Sequence, residues 1–271
     1  MSARRFPWFS AAPASTPGLA SERWWSWLPS QCTICKAWPT RPVCDDCIAA
    51  WAQPVHRCSL CALQLMAPQA LCGACLRQPP PWHSALTAVS YHWPWTDLVA
   101  QFKYQSQPGL AHSLASLMYS APGVDDAVAQ AQWLVPMPLS PVRLADRGFN
   151  QSLLLARPLA PHKARHDLLL RIRDTPAQRT LSRAERLRNL QGAFSVNPLH
   201  AAALRDQKVV LVDDVMTTGA SLHLASQALL AAGVSHLTVV VFARTESPAQ
   251  GPSDGTTDQR DAPEPRDSAI D

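Results

Sequence analysis

The chain has 271 residues, 47% of them hydrophobic, and a formal net charge of +4. This length and apolar content suffice for one sizeable core and a small second module, which excludes a chain that is disordered throughout. No apolar run approaches the roughly 20 residues that a membrane-spanning helix needs. The charge is uneven, because residues 246–271 hold seven acidic and two basic side chains, a net −5, and the remainder therefore carries +9. A basic body of this kind favours phosphorylated or polyanionic ligands.

The N-terminal segment, 1–28, is rich in Ser, Ala and Pro, and we predict that it is disordered. Its prolines leave no continuous apolar stretch, so it is a poor signal peptide and we expect a cytoplasmic protein. Near its end Trp24, Trp25 and Trp27 form an apolar patch. This patch either packs against the next module or offers a platform for stacking nucleic-acid bases.

Eight cysteines follow in four CxxC pairs, separated by gaps of 8, 10 and 10 residues. In a cytoplasmic protein this pattern indicates zinc rather than disulfides, because two such pairs complete a tetrahedral four-cysteine site. A complete thiolate shell leaves no open position, so we predict two structural zinc ions within residues 29–78. Sequential pairing is the simplest arrangement, and interleaved pairing is also compatible with the spacing. Sequential pairing assigns one ion to Cys32, Cys35, Cys44 and Cys47 and the other to Cys58, Cys61, Cys72 and Cys75.

A proline-rich linker, 77–81, marks the boundary to a larger domain that we place at 82–244. Apolar alternation and short apolar runs predict strands there, and apolar residues at helical spacing predict helices. On the helix that ends at Tyr104, we expect Lys103 to be solvated, although it could reach a phosphate. The predicted strands are Ala85–Tyr91, Trp133–Pro138, Leu168–Ile172, Gly192–Val196 and Leu237–Phe242, and the predicted helices are Thr96–Tyr104, Leu110–Tyr119 and Ser152–Leu159.

Two arginine-bearing segments are candidates for phosphate contact. Arg143 and Arg147 flank a predicted turn after the second strand, where they could grip pyrophosphate or be incidental surface residues. Residues 163–188 contain eight Lys or Arg against three acids, including Arg179 in a polar stretch that could form a mobile lid. A solvated charged face is the alternative for this segment.

The most informative stretch is Lys208–Ser221, KVVLVDDVMTTGAS. Val209–Val212 has the uncharged, β-branched composition of a strand buried on both faces of a parallel sheet. Asp213 and Asp214 cannot continue a buried strand, so we predict that they lie at its carboxyl end, where open α/β sheets bind ligands. The small residues after them open into a helix over Leu222–Leu230, and helix amides, hydroxyls and a glycine together favour an anion.

This stretch resembles the phosphoribosyl-pyrophosphate (PRPP) motif of type I phosphoribosyltransferases. The resemblance implies that Asp213 and Asp214 hold the ribose hydroxyls. It also implies that Thr217, Thr218, Gly219, Ala220 and Ser221 wrap the 5′-phosphate. The pyrophosphate and lid candidates are then Arg143, Arg147 and Arg179, and Mg²⁺ would accompany PRPP.

Four motifs together resemble the ComF family of competence-associated proteins over about Pro29–Arg244. They are the CxxC pairs, VPMPLSPVRLADRGFNQ, RDTPAQRTLSRAERLRNLQGAF and VVLVDDVMTTGAS. The resemblance implies a double zinc ribbon followed by an α/β domain of the type I phosphoribosyltransferase fold, a mostly parallel sheet flanked by helices. Residues 245–271 lie outside the pattern, and we predict that they form a disordered acidic tail.

The ComF resemblance also implies a role in DNA uptake during natural transformation, with single-stranded DNA and DNA-uptake proteins as partners. The sequence is therefore compatible with three hypotheses. The first is a DNA-processing accessory protein that binds PRPP or a related sugar phosphate. The second is an active transferase that joins the ribose to an unidentified nitrogenous acceptor and releases pyrophosphate, with Asp213 and Asp214 positioning the ribose. The third is a regulator that keeps the fold without catalysis.

Overall fold

The computed structural model describes residues 30–67, 69–105, 107–173 and 192–246. A four-stranded parallel sheet forms the centre of the larger domain, in the order β1-β6-β5-β2. A separate antiparallel pair joins β3 to β4. The strands are β1 (Ser84–Ser90), β2 (Trp133–Pro136), β3 (Leu169–Arg171), β4 (Phe194–Val196), β5 (Lys208–Met216) and β6 (His236–Arg244).

Helices connect the parallel strands, as the crossovers of such a sheet require. The helices that begin at Pro141 and Gln151 are capped by side chains: Ser140 accepts from the amide of Arg143, and Asn150 accepts from the amide of Leu153. The helices are α1 (Asp45–Trp51), α2 (Gly73–Arg77), α3 (Trp95–Tyr104), α4 (Leu110–Tyr119), α5 (Val124–Gln130), α6 (Pro141–Arg147), α7 (Gln151–Leu159) and α8 (Ala220–Ala231).

The sheet is buried on both faces, which explains why its central strands read as continuous apolar runs. Along β5, Val210 and Val212 belong to a core shared with α3, α4 and α7. Val209 and Leu211 belong to a second core, shared with α8. The alternation follows from the two-residue period of a strand. The sequence-based strands and helices of the described part of this domain are therefore confirmed to within a few residues.

The segment with the cysteines precedes the sheet and packs against it. Cys32, Cys44 and Cys47 share the core that contains α3. Cys58, Cys72 and Cys75 form a small core of their own, whereas the neighbouring Ala62 is fully buried in the core that contains α8. The two cysteine groups therefore contact different parts of the larger domain.

The first residues beyond β6 also belong to the folded body. A carboxylate oxygen of Glu246 lies 3.1 Å from a guanidinium nitrogen of Arg57 and accepts from the hydroxyl of Ser90 at 2.8 Å. The other oxygen accepts from the amide of Gln64 at 3.1 Å. We expected the acidic tail to begin at residue 245, but these contacts hold Glu246 in place. The remainder of that tail, and the N-terminal segment, lie outside the described residues.

Candidate functional site

The loop between β5 and α8 borders a cavity of about 110 Å³ at the carboxyl end of the sheet. Gly219 lies directly before α8 with φ of +74°, a conformation that favours glycine. The amides in the first turn of α8 have no carbonyl of their own helix to bond, so they are available to an anion. The cavity is lined by Asp213, Val215, Met216, Thr217, Thr218, Gly219, Ala220, Ser221 and Leu222. One acid and all five predicted phosphate residues thus share one cavity.

The two acids differ in their surroundings. Strand β5 continues through both of them to Met216, so our expectation that they cannot continue a buried strand is wrong. Asp213 lines the cavity, and one of its oxygens accepts from the hydroxyl of Ser152 and from the amide of Asp214, both at 2.9 Å. Asp214 is only 4% exposed. The strand tolerates these carboxylates because each of them has a polar or charged partner.

Lys103 is the partner of Asp214. Its ammonium nitrogen lies 2.9 Å from a carboxylate oxygen of Asp214, and the two side chains are 17% and 6% exposed. Our expectation of a solvated Lys103 is therefore wrong, because the last turn of α3 brings this residue over β5. The sequence holds no local signal for this contact, since a lysine near a helix end is also typical of a solvated surface.

Burial and charge act together on the ionisation of this cluster. Burial lowers the pKa of Lys103, but the nearby carboxylates of Asp214 and Asp213 outweigh it, so that the pKa is raised. Burial and the negative charge of Asp214 raise the pKa of Asp213 to about 7, while Lys103 and Ser152 act in the opposite direction. Lys103 thus favours the ionised form of the acid that faces the cavity.

The arginines proposed for pyrophosphate lie on a helix rather than in a turn. Both belong to α6, which follows β2, and neither lines the cavity beside Gly219. The guanidinium of Arg147 lies 5.0 Å from the ring centre of Tyr104 and donates to its hydroxyl at 3.4 Å. The predicted lid residue Arg179 lies outside the described residues.

The basic segment 163–188 is described only in its first part and is largely engaged there. Lys163 donates to the carbonyls of Val128 and Ala129 at 2.9 and 2.8 Å. Arg165 makes a two-pronged contact with Asp167, with both distances 2.7 Å. These two cations stabilise the fold, so they are not a free surface for polyanions.

The eight cysteines form two groups of four, and their pairing is sequential. No disulfide joins any of them. The sulfur atoms of Cys32 and Cys47 lie 3.8 Å apart, and those of Cys61 and Cys72 lie 3.6 Å apart. A tetrahedral zinc ion with bonds of about 2.3 Å sets its sulfurs about 3.8 Å apart, so the donor set and its spacing fit zinc. Each four-cysteine group can hold one structural zinc ion.

The sequence comparisons agree with both parts of the structure. The family described as "Phosphoribosyl transferase domain" matches residues 166–261. The DNA utilization protein YhgH of Salmonella typhimurium is 33% identical over 227 residues, which cover 80% of this chain and 98% of that protein. Competence protein F of Haemophilus influenzae is 34% identical over 197 residues, which cover 69% of this chain and 84% of that protein. The chain belongs to the ComF family.

A third relative matches only part of the chain. Competence protein ComFC of Bacillus subtilis is 38% identical over 111 residues, which cover 40% of this chain and 43% of that protein. The ComF-type organisation, two four-cysteine groups before a phosphoribosyltransferase domain, is present here. Within the described ranges, no helix combines the length and apolar character that crossing a membrane requires.

Proposed function

We propose that this protein binds PRPP together with Mg²⁺ at the loop that joins β5 to α8. The observation that carries the proposal is that Asp213 and the Thr217–Ser221 loop line one cavity. The loop amides and hydroxyls hold the 5′-phosphate, and the carboxylate of Asp213 accepts hydrogen bonds from the ribose hydroxyls. Asp214 holds Asp213 in place, because Asp214 is buried and its backbone amide donates to the Asp213 carboxylate.

Lys103 makes the acidic pair compatible with a polyanion. Two uncompensated carboxylates beside a phosphate site would repel PRPP, and repulsion is strong where solvent is excluded. The ion pair of Lys103 with Asp214 cancels one of the two negative charges. The remaining carboxylate, on Asp213, is then sufficient for the ribose without repelling the phosphates strongly.

Magnesium fits this site through its oxygen donors. Mg²⁺ prefers carboxylate, hydroxyl and phosphate oxygens and retains several waters, and it usually enters with a phosphorylated ligand. Asp213 is the carboxylate that would lie beside it, and the ion would neutralise pyrophosphate charge. The residues of the chain orient the ribose and the 5′-phosphate around it.

Calorimetric titration with PRPP and Mg²⁺ tests the binding site. We expect Asp213→Asn to weaken binding on the order of 10- to 100-fold, since a hydrogen bond to a charged group contributes about 1.5–3 kcal/mol. Asp97→Asn is the matched control, because Asp97 is an exposed acid on α3. Equal affinities for the wild type and Asp213→Asn would reject the assignment. A pyrophosphate-release screen across nitrogenous acceptors then separates a transferase from a protein that only binds PRPP.

We further propose that the protein acts in DNA uptake and utilization by handling incoming single-stranded DNA. The names of its relatives, DNA utilization protein and competence protein, support the biological role. The exposed indoles of Trp38, Trp51 and Trp93 support direct contact, with 64%, 40% and 54% of their surfaces exposed. Trp51 and Trp93 meet edge to face at 4.8 Å. Such rings can stack on bases without selecting a sequence.

Gel-shift titration of single-stranded DNA at low salt tests this second part. We expect Trp38→Ala to weaken binding, because stacking contributes about 1–3 kcal/mol per base. Trp133→Phe is the control, since that indole is partly buried and donates to the carbonyl of Ala203. If neither the full chain nor a chain without residues 247–271 shifts the DNA, the competence role must run through a protein partner.

A further inference from the structure

The loop that contains Cys58 and Cys61 is connected to the candidate phosphate loop, Thr217–Ser221, by two side chains. The buried indole of Trp82 donates to the carbonyl of Leu60, which lies between those cysteines, at 2.5 Å. The far edge of the same ring approaches Gly219, where an added Cβ would lie 3.5 Å from it. Trp82 therefore spans the distance between the second four-cysteine group and Gly219, the residue directly before α8.

Arg244 makes a second connection between the same two loops. Its Nε donates to the carbonyl of Cys61 at 2.8 Å. One of its terminal nitrogens, Nη1, donates to the carbonyls of Met216 and Thr217 at 3.1 and 2.6 Å. The guanidinium thus fixes the beginning of the phosphate loop to a ligand residue of the second group. Charged donors shared among several carbonyls hold backbone firmly.

The first four-cysteine group makes no comparable contact in the described part of the chain. It contacts the larger domain elsewhere, because its cysteines pack in the core that contains α3 and the indole of Trp95 donates to the carbonyl of Trp51 at 3.0 Å. Within the described residues, no hydrogen bond joins 30–52 to 216–222. The two groups are otherwise built alike, since Cys44 and Cys72 each lie directly before a short helix that carries the fourth cysteine. The protein therefore contains an internal control for the role of the second group.

We propose that zinc binding at the second four-cysteine group sets the affinity of the phosphate loop, Thr217–Ser221, for phosphate. The zinc ligands are Cys58, Cys61, Cys72 and Cys75. The ion fixes the backbone between Cys58 and Cys61, because structural zinc sites fold only when the metal is bound. Trp82 and Arg244 are the positioning residues that transmit this order to the phosphate loop. The inference rests on the proposed function of that loop, and it assigns to the second zinc site a role that the first lacks.

Hydrogen exchange of the zinc-loaded protein tests the coupling without any ligand. We expect Trp82→Phe, which removes one hydrogen bond, to accelerate amide exchange at 217–222 on the order of tenfold. Arg244→Gln removes three hydrogen bonds and should accelerate exchange there at least as much. Exchange at 209–212 should stay unchanged, and metal analysis should still find two zinc ions. Trp95→Phe is the matched control, because it removes the equivalent indole bond to the first group. If one variant fails to fold, the other decides the outcome.

A second pair of variants removes one zinc site at a time. Cys72→Ser should accelerate exchange at 217–222 and weaken binding of PRPP with Mg²⁺, whereas the equivalent Cys44→Ser should leave both near wild type. Equal exchange at 217–222 in the two variants, or no change in Trp82→Phe and Arg244→Gln, would overturn the coupling. If the exchange pattern appears but wild-type protein does not bind PRPP, the coupling stands and the proposed ligand is wrong.

Discussion

Replacing Lys103 by methionine removes the cation from the acidic pair while keeping most of its apolar stem. In the folded protein, Asp214 would then face an apolar group, and both carboxylates would lack their nearest positive charge. Breaking a buried ion pair by removing one partner costs about 3–5 kcal/mol. Because 17% of the Lys103 side chain is exposed, water screens the pair in part, and we expect about 2–3 kcal/mol at pH 8.5.

The loss should depend on pH in a defined direction. The folded-state pKa of Asp213, about 7, lies above its ordinary value of 3.8, so this group stabilises the fold less as pH rises from about 4 through about 7. Without Lys103, which holds that pKa down, the acidic pair retains a proton to higher pH. A proton can then replace the missing cation at pH 6.5 more readily than at pH 8.5. The destabilisation should therefore be smaller at pH 6.5.

Urea unfolding of wild type and Lys103→Met at the two pH values measures both effects, with zinc content checked in each sample. Lys208→Met is the matched control, because the Lys208 side chain is exposed and its ammonium donates only to the side chain of Gln130 among the described residues. The control should stay within about 0.5 kcal/mol of wild type. A loss in Lys103→Met that is below about 0.5 kcal/mol, or one equal at the two pH values, would refute the electrostatic account of this site.

Two further predictions concern the fold and its metal. Asp167→Asn should lower the free energy of unfolding by about 1–2 kcal/mol at pH 7, because Asp167 accepts two hydrogen bonds from Arg165. That arginine lowers the pKa of Asp167 to about 2, so the difference from wild type, measured by urea unfolding, should persist above pH 4 and shrink as pH falls towards 2. Purified protein should contain two zinc ions per chain by metal analysis, and a chelator should accelerate amide exchange in 30–78 first; a metal-free folded protein would contradict this.

Local sequence patterns predicted the framework of the molecule because its elements are locally consistent. The β-branched run at Val209–Val212 had to be a buried strand, and the small residues after Met216 had to open a helix. The CxxC spacing predicted two groups of four cysteines, with sequential and interleaved pairing both open, and the structure shows that the pairing is sequential. Each of these features depends on residues that are close together in the chain.

The contacts that the sequence did not reveal are all between distant segments. Lys103 on α3 reaches Asp214 on β5, and the Arg244 side chain reaches Cys61 across 183 positions. The spacing of apolar residues gives no information on contacts between distant segments. A lysine or arginine near the end of a helix or strand is equally compatible with exposure to solvent. The continuation of strand β5 through Asp213 was missed for the same reason. The hydroxyl that bonds Asp213 belongs to Ser152, which lies on α7, far from β5 in the sequence.

A crystal structure of the protein with PRPP and Mg²⁺ would show directly whether the loop between β5 and α8 is the PRPP site. We expect the 5′-phosphate against the amides of Thr218–Ser221 and the ribose hydroxyls within hydrogen-bond distance of Asp213, with Lys103 still paired to Asp214. A phosphate bound elsewhere, or a cavity beside Gly219 that stays empty at saturating PRPP, would contradict it.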